Sequence, residues 1–160
     1  MEDIKEVLLV PEHEVISITK ALTGLELEKM DSQQWNGKHI VVDVIHTKGY
    51  FKAVIVCEME QELFHHIIST MYGGALPPEE EQALYINEYM NIVFGRMISK
   101  INNMTGSVSR LSPPEYCGEN VPVYEHPDRM HHLTLAYRTK QGQLRFTIQF
   151  ECQENGGDRV

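Results

Sequence analysis

Long apolar runs and patterned cysteines are both missing from this sequence. No run is long enough to cross a membrane, and the apolar stretch at residues 7–10 is too short for a signal peptide. The three cysteines, Cys57, Cys117 and Cys152, have no regular spacing. An odd, unpatterned set predicts free thiols instead of a disulfide framework. We therefore expect a protein of the reducing cytoplasm.

Basic residues are also scarce. The chain has 14 lysines and arginines against 23 acidic residues, which gives a formal net charge of −9. Nucleic acids and anionic membranes are bound through basic surfaces, so this balance argues against both as partners. It suits instead a protein partner that carries a basic patch.

The short motifs of several chemistries are missing as well. Eight histidines are present, but none form a His-x-x-x-His pair, and no Cys-x-x-Cys occurs. No glycine-rich loop is followed by Lys-Ser or Lys-Thr, and Gly-x-Ser-x-Gly is absent. We expect no metal site and no bound cofactor in this chain. The sequence also gives little support for a self-contained hydrolase.

The length of 160 residues suits one domain, which we expect to span residues 1–160 with a frayed tail at residues 154–160. Apolar periodicity predicts helices at residues 8–25, 58–72 and 79–103. Pro11 is expected in the first turn of the first helix. Alternation and turn residues predict strands at 25–30, 38–47, 50–57, 106–110, 132–138 and 143–152. Residues 112–128 are expected to be an irregular excursion. The predicted fold class is α+β, a largely antiparallel sheet with helices packed on it.

The stretch at residues 79–103 carries the most information. It is predicted to be one long helix that starts after Pro77-Pro78. Its apolar residues at helical spacing form an inner stripe: Ala83, Ile86, Met90, Val93, Phe94, Met97 and Ile101. The opposite side forms an outer stripe: Glu81, Leu84, Glu88, Asn91, Ile92, Gly95, Ser99 and Asn102. Glu88 and Asn91 lie three residues apart and so share one face. By itself, a Glu-x-x-Asn pair is usually an ordinary solvated surface.

The residues that follow give this pair a meaning. The stretch Asn87-Glu88-Tyr89-Met90-Asn91-Ile92-Val93-Phe94-Gly95 resembles the Glu-x-x-Asn-(aliphatic)₂-x-Gly signature of the CheX/CheC/FliY phosphatases of bacterial chemotaxis. The short strand and Pro-Pro turn at residues 108–114, the later Gly118, and the hairpins around Gly49 and at residues 133–150 fit the same family. A single motif helix is more similar to CheX than to CheC. The resemblance covers roughly residues 4–151.

The resemblance implies a fold and a reaction. The fold would be CheX-like, and the substrate would be the aspartyl phosphate of a CheY-like response regulator. Asn91 would enter the regulator's active site and hold the attacking water, and Glu88 would pair with the regulator's active-site lysine. Mg²⁺ would be bound by the regulator. Positioning dominates catalysis of phosphoryl transfer, and a carboxamide can both accept from and donate to a water.

The resemblance also implies interfaces. Leu84 and Ile92 would be apolar anchors for the regulator, and the small Gly95 and Ser99 would let its backbone approach. CheX-like proteins are homodimers built through their sheets, and the excursion at residues 112–128 has the length to cross to a partner.

One residue departs from the family pattern. Leu84 stands where the family often has Asp or Ser, four residues before the glutamate. This departure leaves open a non-catalytic binding module for a response regulator or a CheD-like deamidase. An unrelated α+β structural domain is a third reading, and it predicts no binding through Glu88.

Overall fold

The computed structural model describes residues 2–122 and 130–153, with side chains from Lys5 onward. Within them the helices are α1 (Glu2–Thr23), α2 (Gln61–Met71) and α3 (Gln82–Thr105). The strands are β1 (Glu28–Met30), β2 (Ile40–Gly49), β3 (Phe51–Glu60), β4 (Ser109–Leu111), β5 (Glu115–Gly118), β6 (His131–Thr139) and β7 (Gly142–Cys152). The predicted frayed tail and the later part of the predicted excursion lie outside the described residues.

The strands form one antiparallel sheet in the order β1-β6-β7-β3-β2-β4, and β5 also pairs with β2. All three helices pack on one face of this sheet, where they enclose the main core with alternate residues of the long strands. The predicted α+β class, with a largely antiparallel sheet and a long helix, is confirmed.

The first helix begins earlier than predicted. It starts at Glu2, so Pro11 lies inside the helix and not in its first turn. An internal proline removes one backbone hydrogen bond. Burial of Val7 and Val10, which are 0% and 7% exposed, keeps the preceding turns helical despite that loss. Gly24 ends the helix as predicted, with a positive φ of 75°.

Strand β5 was missed by the sequence analysis, which assigned its residues to the irregular excursion. It is four residues long and pairs with the first half of β2, with a register shift between Val42 and Asp43. So short a strand has no periodicity of its own. It exists because the edge of β2 offers unpaired backbone groups.

The tight turn between β2 and β3 depends on Gly49. Its φ is +100°, and a Cβ there would collide with the backbone oxygen of Val108, just before β4. Glycine is therefore required both for the backbone conformation and for the close approach of β4. This turn fixes where the chain re-enters the sheet after α3.

An unusual group, Asp43, lies in the middle of β2 on the helix side of the sheet. Its side chain is 2% exposed, and neither carboxylate oxygen has a hydrogen-bond partner among the described residues. Burial raises the pKa of Asp43 to about 7, and the negative charge of Glu115 adds to the shift. The nearby backbone N–H of Val44 opposes the shift in part without forming a good hydrogen bond.

This carboxyl predicts a pH-dependent stability. In the unfolded chain it releases its proton near pH 4, whereas the folded protein holds the proton up to about pH 7. The folded state binds more protons between these values, so the Asp43 contribution is present below pH 4 and is lost as pH rises to 7. We expect Asp43→Asn to gain stability relative to wild type over this window, by roughly 2–4 kcal/mol.

Urea unfolding of wild type and Asp43→Asn at intervals from pH 4 to 8 measures this difference. Titrating groups that are not coupled to Asp43, such as Glu14, contribute equally to both proteins and cancel. If the difference between the two free energies of unfolding does not change with pH, Asp43 is not protonated in the folded state.

Candidate functional site

Helix α3 is held at both ends by local contacts. A 3₁₀ turn at Glu79–Glu81 leads into it, and the side chain of Gln82 donates to the carbonyl of Pro77 at 3.1 Å. The helix stops at Gly106, which takes the left-handed conformation with φ 69° and donates its N–H to Asn102. The predicted long helix is confirmed, although its first three residues form the tighter turn.

The inner stripe of α3 is buried. Six of its seven members are at most 1% exposed, and only Ala83 is half-buried. Helical periodicity predicts this because each of these side chains faces the sheet or a neighbouring helix.

Two buried residues of α3 lie outside the predicted stripe. Tyr89 is 0% exposed, and its hydroxyl lies 2.6 Å from the Oγ1 of Thr19 on α1. Ile98 is 6% exposed. Both were missed because a single-stripe template assumes one packing surface. Helix α3 packs against the sheet and also against α1.

The outer stripe faces away from the core. Glu88, Asn91 and Ser99 are exposed, and Leu84 is 65% exposed. Ile92 and Gly95 are half-buried. Asn102 is the exception, since its carboxamide turns inward and bonds twice to the backbone of Ser109.

Glu88 and Asn91 are not engaged by the rest of the chain. Neither side chain makes a hydrogen bond or ion pair with any residue that the structure describes. The surrounding helix is rigidly packed, so the two groups are held at a fixed spacing on an accessible face. Such a pair can act on something outside the chain, which a buried ion pair could not.

Charge is unevenly distributed along α3. Residues 79–95 contain four glutamates and no lysine or arginine. The first basic residues, Arg96 and Lys100, both approach Glu14 of α1, at 3.9 and 2.5 Å. Burial alone would raise the pKa of Glu14, but its bonds to Lys100 and His13 outweigh this and lower it. Arg96 and Lys100 thus pair with a carboxylate of the same chain. The half of the helix that holds Glu88 is acidic.

Exposed apolar side chains accompany this acidic half. Besides Leu84, Leu76 in the connector before α3 is 47% exposed and Tyr72 is 40% exposed. The ring of Tyr72 lies edge-on to that of Tyr85, with 5.3 Å between the ring centroids. The sequence analysis did not single out Leu76 or Tyr72, because single exposed apolar residues are common and no pattern links these two.

Gly95 has room for a larger residue. A Cβ at this position would meet only the Cδ1 of Leu111, at an ordinary 3.7 Å. Packing within the described chain therefore does not require glycine here.

The described residues do not assemble a metal site, a reactive cysteine or a membrane-spanning helix. Among the described residues, no group of three histidine, cysteine, aspartate or glutamate side chains is placed to hold a metal. Cys57 is buried, Cys117 and Cys152 are partly buried, and all three are free thiols. Burial raises the pKa of each thiol. No helix in the described ranges is long and apolar enough to cross a membrane.

Comparisons of sequence alone find nothing: no family model and no curated protein matches this chain. Comparison of structures does find matches. A CheX chemotaxis protein from Vibrio vulnificus superposes with a TM-score of 0.75 at 18% identity, covering 91% of this chain and 97% of that one.

Two further solved structures superpose on this chain. CheX of Borrelia burgdorferi, solved as a CheX–CheY–BeF3–Mg complex, has a TM-score of 0.70 at 16% identity, with 92% and 97% of the chains covered. FliY of Thermotoga maritima has a TM-score of 0.60 at 16% identity, with 90% and 85% covered. Each of these three likenesses covers at least 90% of this chain. The fold predicted from the motif is confirmed: this chain has the fold of the CheX, CheC-like and FliY chemotaxis proteins.

Proposed function

We propose that this chain is a phosphatase that dephosphorylates a CheY-like response regulator through the part of the outer stripe of α3 that runs from Leu84 to Ser99. The observation that carries the proposal is the pair Glu88 and Asn91, exposed, unengaged and fixed in spacing on a rigid helix. A CheX-like fold supports it, as does the similar Borrelia protein solved together with CheY, BeF3 and Mg.

The reaction is hydrolysis of an acyl phosphate. The oxygen of a water molecule attacks phosphorus in line with the bond to the regulator's aspartate. That P–O bond breaks, its electron pair leaves with the aspartate carboxylate, and the proton lost by the water passes to the released phosphate or to solvent. Little covalent work is left for the phosphatase, so holding the water is the main contribution.

Asn91 is suited to hold this water. Its carboxamide oxygen accepts a hydrogen bond from the water and directs the water's lone pair at phosphorus. A carboxamide does not titrate near neutral pH, so its role persists across the physiological range. Mg²⁺ belongs to the regulator in this scheme, and this chain supplies neither a metal nor a nucleophile of its own.

Glu88 has the complementary task of docking. It is an exposed carboxylate one turn of helix from Asn91, in a stretch, residues 79–95, that contains no lysine or arginine. We assign it to an ion pair with the lysine of the regulator's active site. An ion pair formed on docking contributes mainly to affinity and to the rate of encounter.

The neighbouring residues complete the contact. Leu84 and Ile92 are the apolar anchors, and the small Gly95 and Ser99 let the regulator's backbone come close. The spare room at Gly95 supports this assignment, because the chain itself does not need glycine there.

A cytoplasmic location, expected from the sequence, stays a prediction.

A second candidate is a binding module that docks a regulator or a CheD-like deamidase without hydrolysis. The observation that favours it is Leu84, which is 65% exposed where the family often has Asp or Ser. A polar side chain at that position could take part in the reaction, whereas leucine contributes only apolar contact. Measured turnover separates the two candidates.

Asn91→Ala is predicted to lose catalysis and to keep binding. The carboxamide acts mainly in the transition state, so its loss lowers turnover and leaves affinity nearly unchanged. A hundredfold loss would correspond to about 2.7 kcal/mol of barrier. Phosphate release from a phosphorylated CheY-like regulator measures turnover, and binding to the beryllofluoride-activated regulator measures affinity.

Two variants serve as comparisons. Glu88→Ala should weaken affinity and its salt dependence as well as rate, because the lost ion pair forms on docking. Asn103→Ala, at an exposed asparagine near the end of the same helix, should change neither. An active wild type with a fully active Asn91→Ala variant contradicts the catalytic assignment. A wild type that accelerates hydrolysis of no regulator from its own organism rejects the phosphatase, and the binding module replaces it.

We also propose that the chain forms a homodimer through its sheet. On the sheet face away from the helices, Val42, Val44 and Val56 are already buried within the chain, and Ile40 and Val54 beside them are partly exposed. Ile40 and Val54 are therefore the aliphatic side chains of this cluster that a second sheet could cover. The excursion predicted at residues 112–128 was expected to have the length to cross to the second subunit. Its residues 115–118 pair instead with β2 of the same chain.

Light scattering tests the dimer. We expect twice the chain mass of 18.4 kDa at a concentration on the order of tens of micromolar. Val54→Lys places a charge on the aliphatic face and should shift the protein to monomer. Monomer alone for the wild type in this range contradicts the proposal.

A further inference from the structure

A polar atom without a partner lies next to the candidate site. The side-chain oxygen Oδ1 of Asn87 is buried and has no hydrogen-bond partner among the residues that the structure describes. Buried carboxamide oxygens are nearly always bonded, and leaving one unsatisfied costs stability. Neither the predicted inner stripe nor the outer stripe includes Asn87.

The other buried amide contacts of α3 are satisfied. Asn102 uses both ends of its carboxamide, donating to the Ser109 carbonyl at 3.1 Å and accepting from the Ser109 N–H at 2.8 Å. Gln82 donates to Pro77 at 3.1 Å. Among the described residues of α3, Asn87 is therefore the one whose buried side-chain oxygen has no partner, and elsewhere the Oε1 of Gln149 in β7 and the carboxylate oxygens of Asp43 share this state.

Asn87 is placed beside Asn91. Residues four apart on a helix are neighbours on its surface, with Cβ atoms about 6 Å apart. Two asparagine side chains at this spacing can join through one amide hydrogen bond. Asn91 is exposed and makes no hydrogen bond with the described residues, so its NH₂ group is available.

The proposed reaction needs such a bond. A carboxamide that holds a water must present its oxygen, and an unrestrained asparagine at the surface presents its oxygen and its NH₂ group equally. A fixed acceptor for the NH₂ group removes this ambiguity, because the oxygen then points the other way, toward the regulator. Fixing the group before the reaction lowers the entropy lost in the transition state.

We infer that Asn87 is a positioning residue for Asn91. In the docked complex its Oδ1 accepts a hydrogen bond from the Nδ2 of Asn91, which leaves the Oδ1 of Asn91 to accept from the attacking water. This inference rests on the proposed function. It assigns no direct contact between Asn87 and the substrate.

Asn87→Leu removes the acceptor and keeps the size of the side chain. We expect kcat to fall about tenfold with the affinity for the beryllofluoride-activated regulator unchanged. We expect the midpoint of urea unfolding to stay the same or to rise, since an unsatisfied polar atom leaves the interior. Asn87→Asp keeps an acceptor and should retain more of the kcat, measured at saturating regulator.

Asn102→Leu is the matched control. It removes a carboxamide of the same helix whose bonds are structural, so it should lower the unfolding midpoint and leave kcat unchanged. Asn87→Leu is thus expected to lower turnover without lowering stability, and Asn102→Leu to lower stability without lowering turnover. A purely structural Asn87 would instead lose stability on substitution and keep its turnover.

An NMR measurement of the Asn91 side chain tests the same hydrogen bond without relying on turnover. In an NMR spectrum of the ¹⁵N-labelled chain, one side-chain NH₂ proton of Asn91 should move downfield when the activated regulator docks, and Asn87→Leu should abolish that shift. If the shift persists in Asn87→Leu, or if this variant keeps full kcat in an active enzyme, the inference is wrong while the proposed function stands. If the wild type has no activity with any regulator, the proposed function fails and the catalytic role of Asn87 fails with it.

Discussion

Burial of the inner stripe of α3 determines how this helix is turned relative to the sheet. Met90, Val93 and Met97 are completely buried, and they are spaced so that only one rotation of the helix encloses them all. Two polar contacts with α1 hold the same rotation, the Tyr89–Thr19 hydrogen bond and the Glu14–Lys100 ion pair. Because a helix has only one opposite side, Glu88 and Asn91 must then face solvent. The position of the candidate site is therefore a consequence of core packing.

The division of charge follows from the same packing. Glu14 is buried, so it needs cations close by, and Arg96 and Lys100 approach it from α3. This leaves residues 79–95, which contain Glu88, with four glutamates, the exposed Leu84 and no lysine or arginine. A face with an apolar centre and acidic surroundings is complementary to a partner with a basic rim.

The sequence predicted the parts of this structure that depend on local periodicity. The two stripes of α3, the β2–β3 and β6–β7 hairpins and the sheet class follow from spacing and turn residues, and all were found. Strand β5, the burial of Tyr89 and Ile98 and the start of α1 at Glu2, ahead of the predicted residue 8, were missed. Each of these depends on a contact with a distant part of the chain, which no local pattern records. The open acceptor of Asn87 belongs to the same group, because only the packed structure shows that its oxygen is enclosed.

The central claim is that the outer stripe of α3, from Leu84 to Ser99, is the surface that meets the regulator. Backbone amide chemical shifts of this chain, recorded before and after addition of the beryllofluoride-activated regulator, test it most directly. The account predicts that the largest changes fall between Leu84 and Ser99, on the exposed side of α3, with β6 and β7 little affected. Changes concentrated on the sheet, with Glu88 and Asn91 unperturbed, would contradict it.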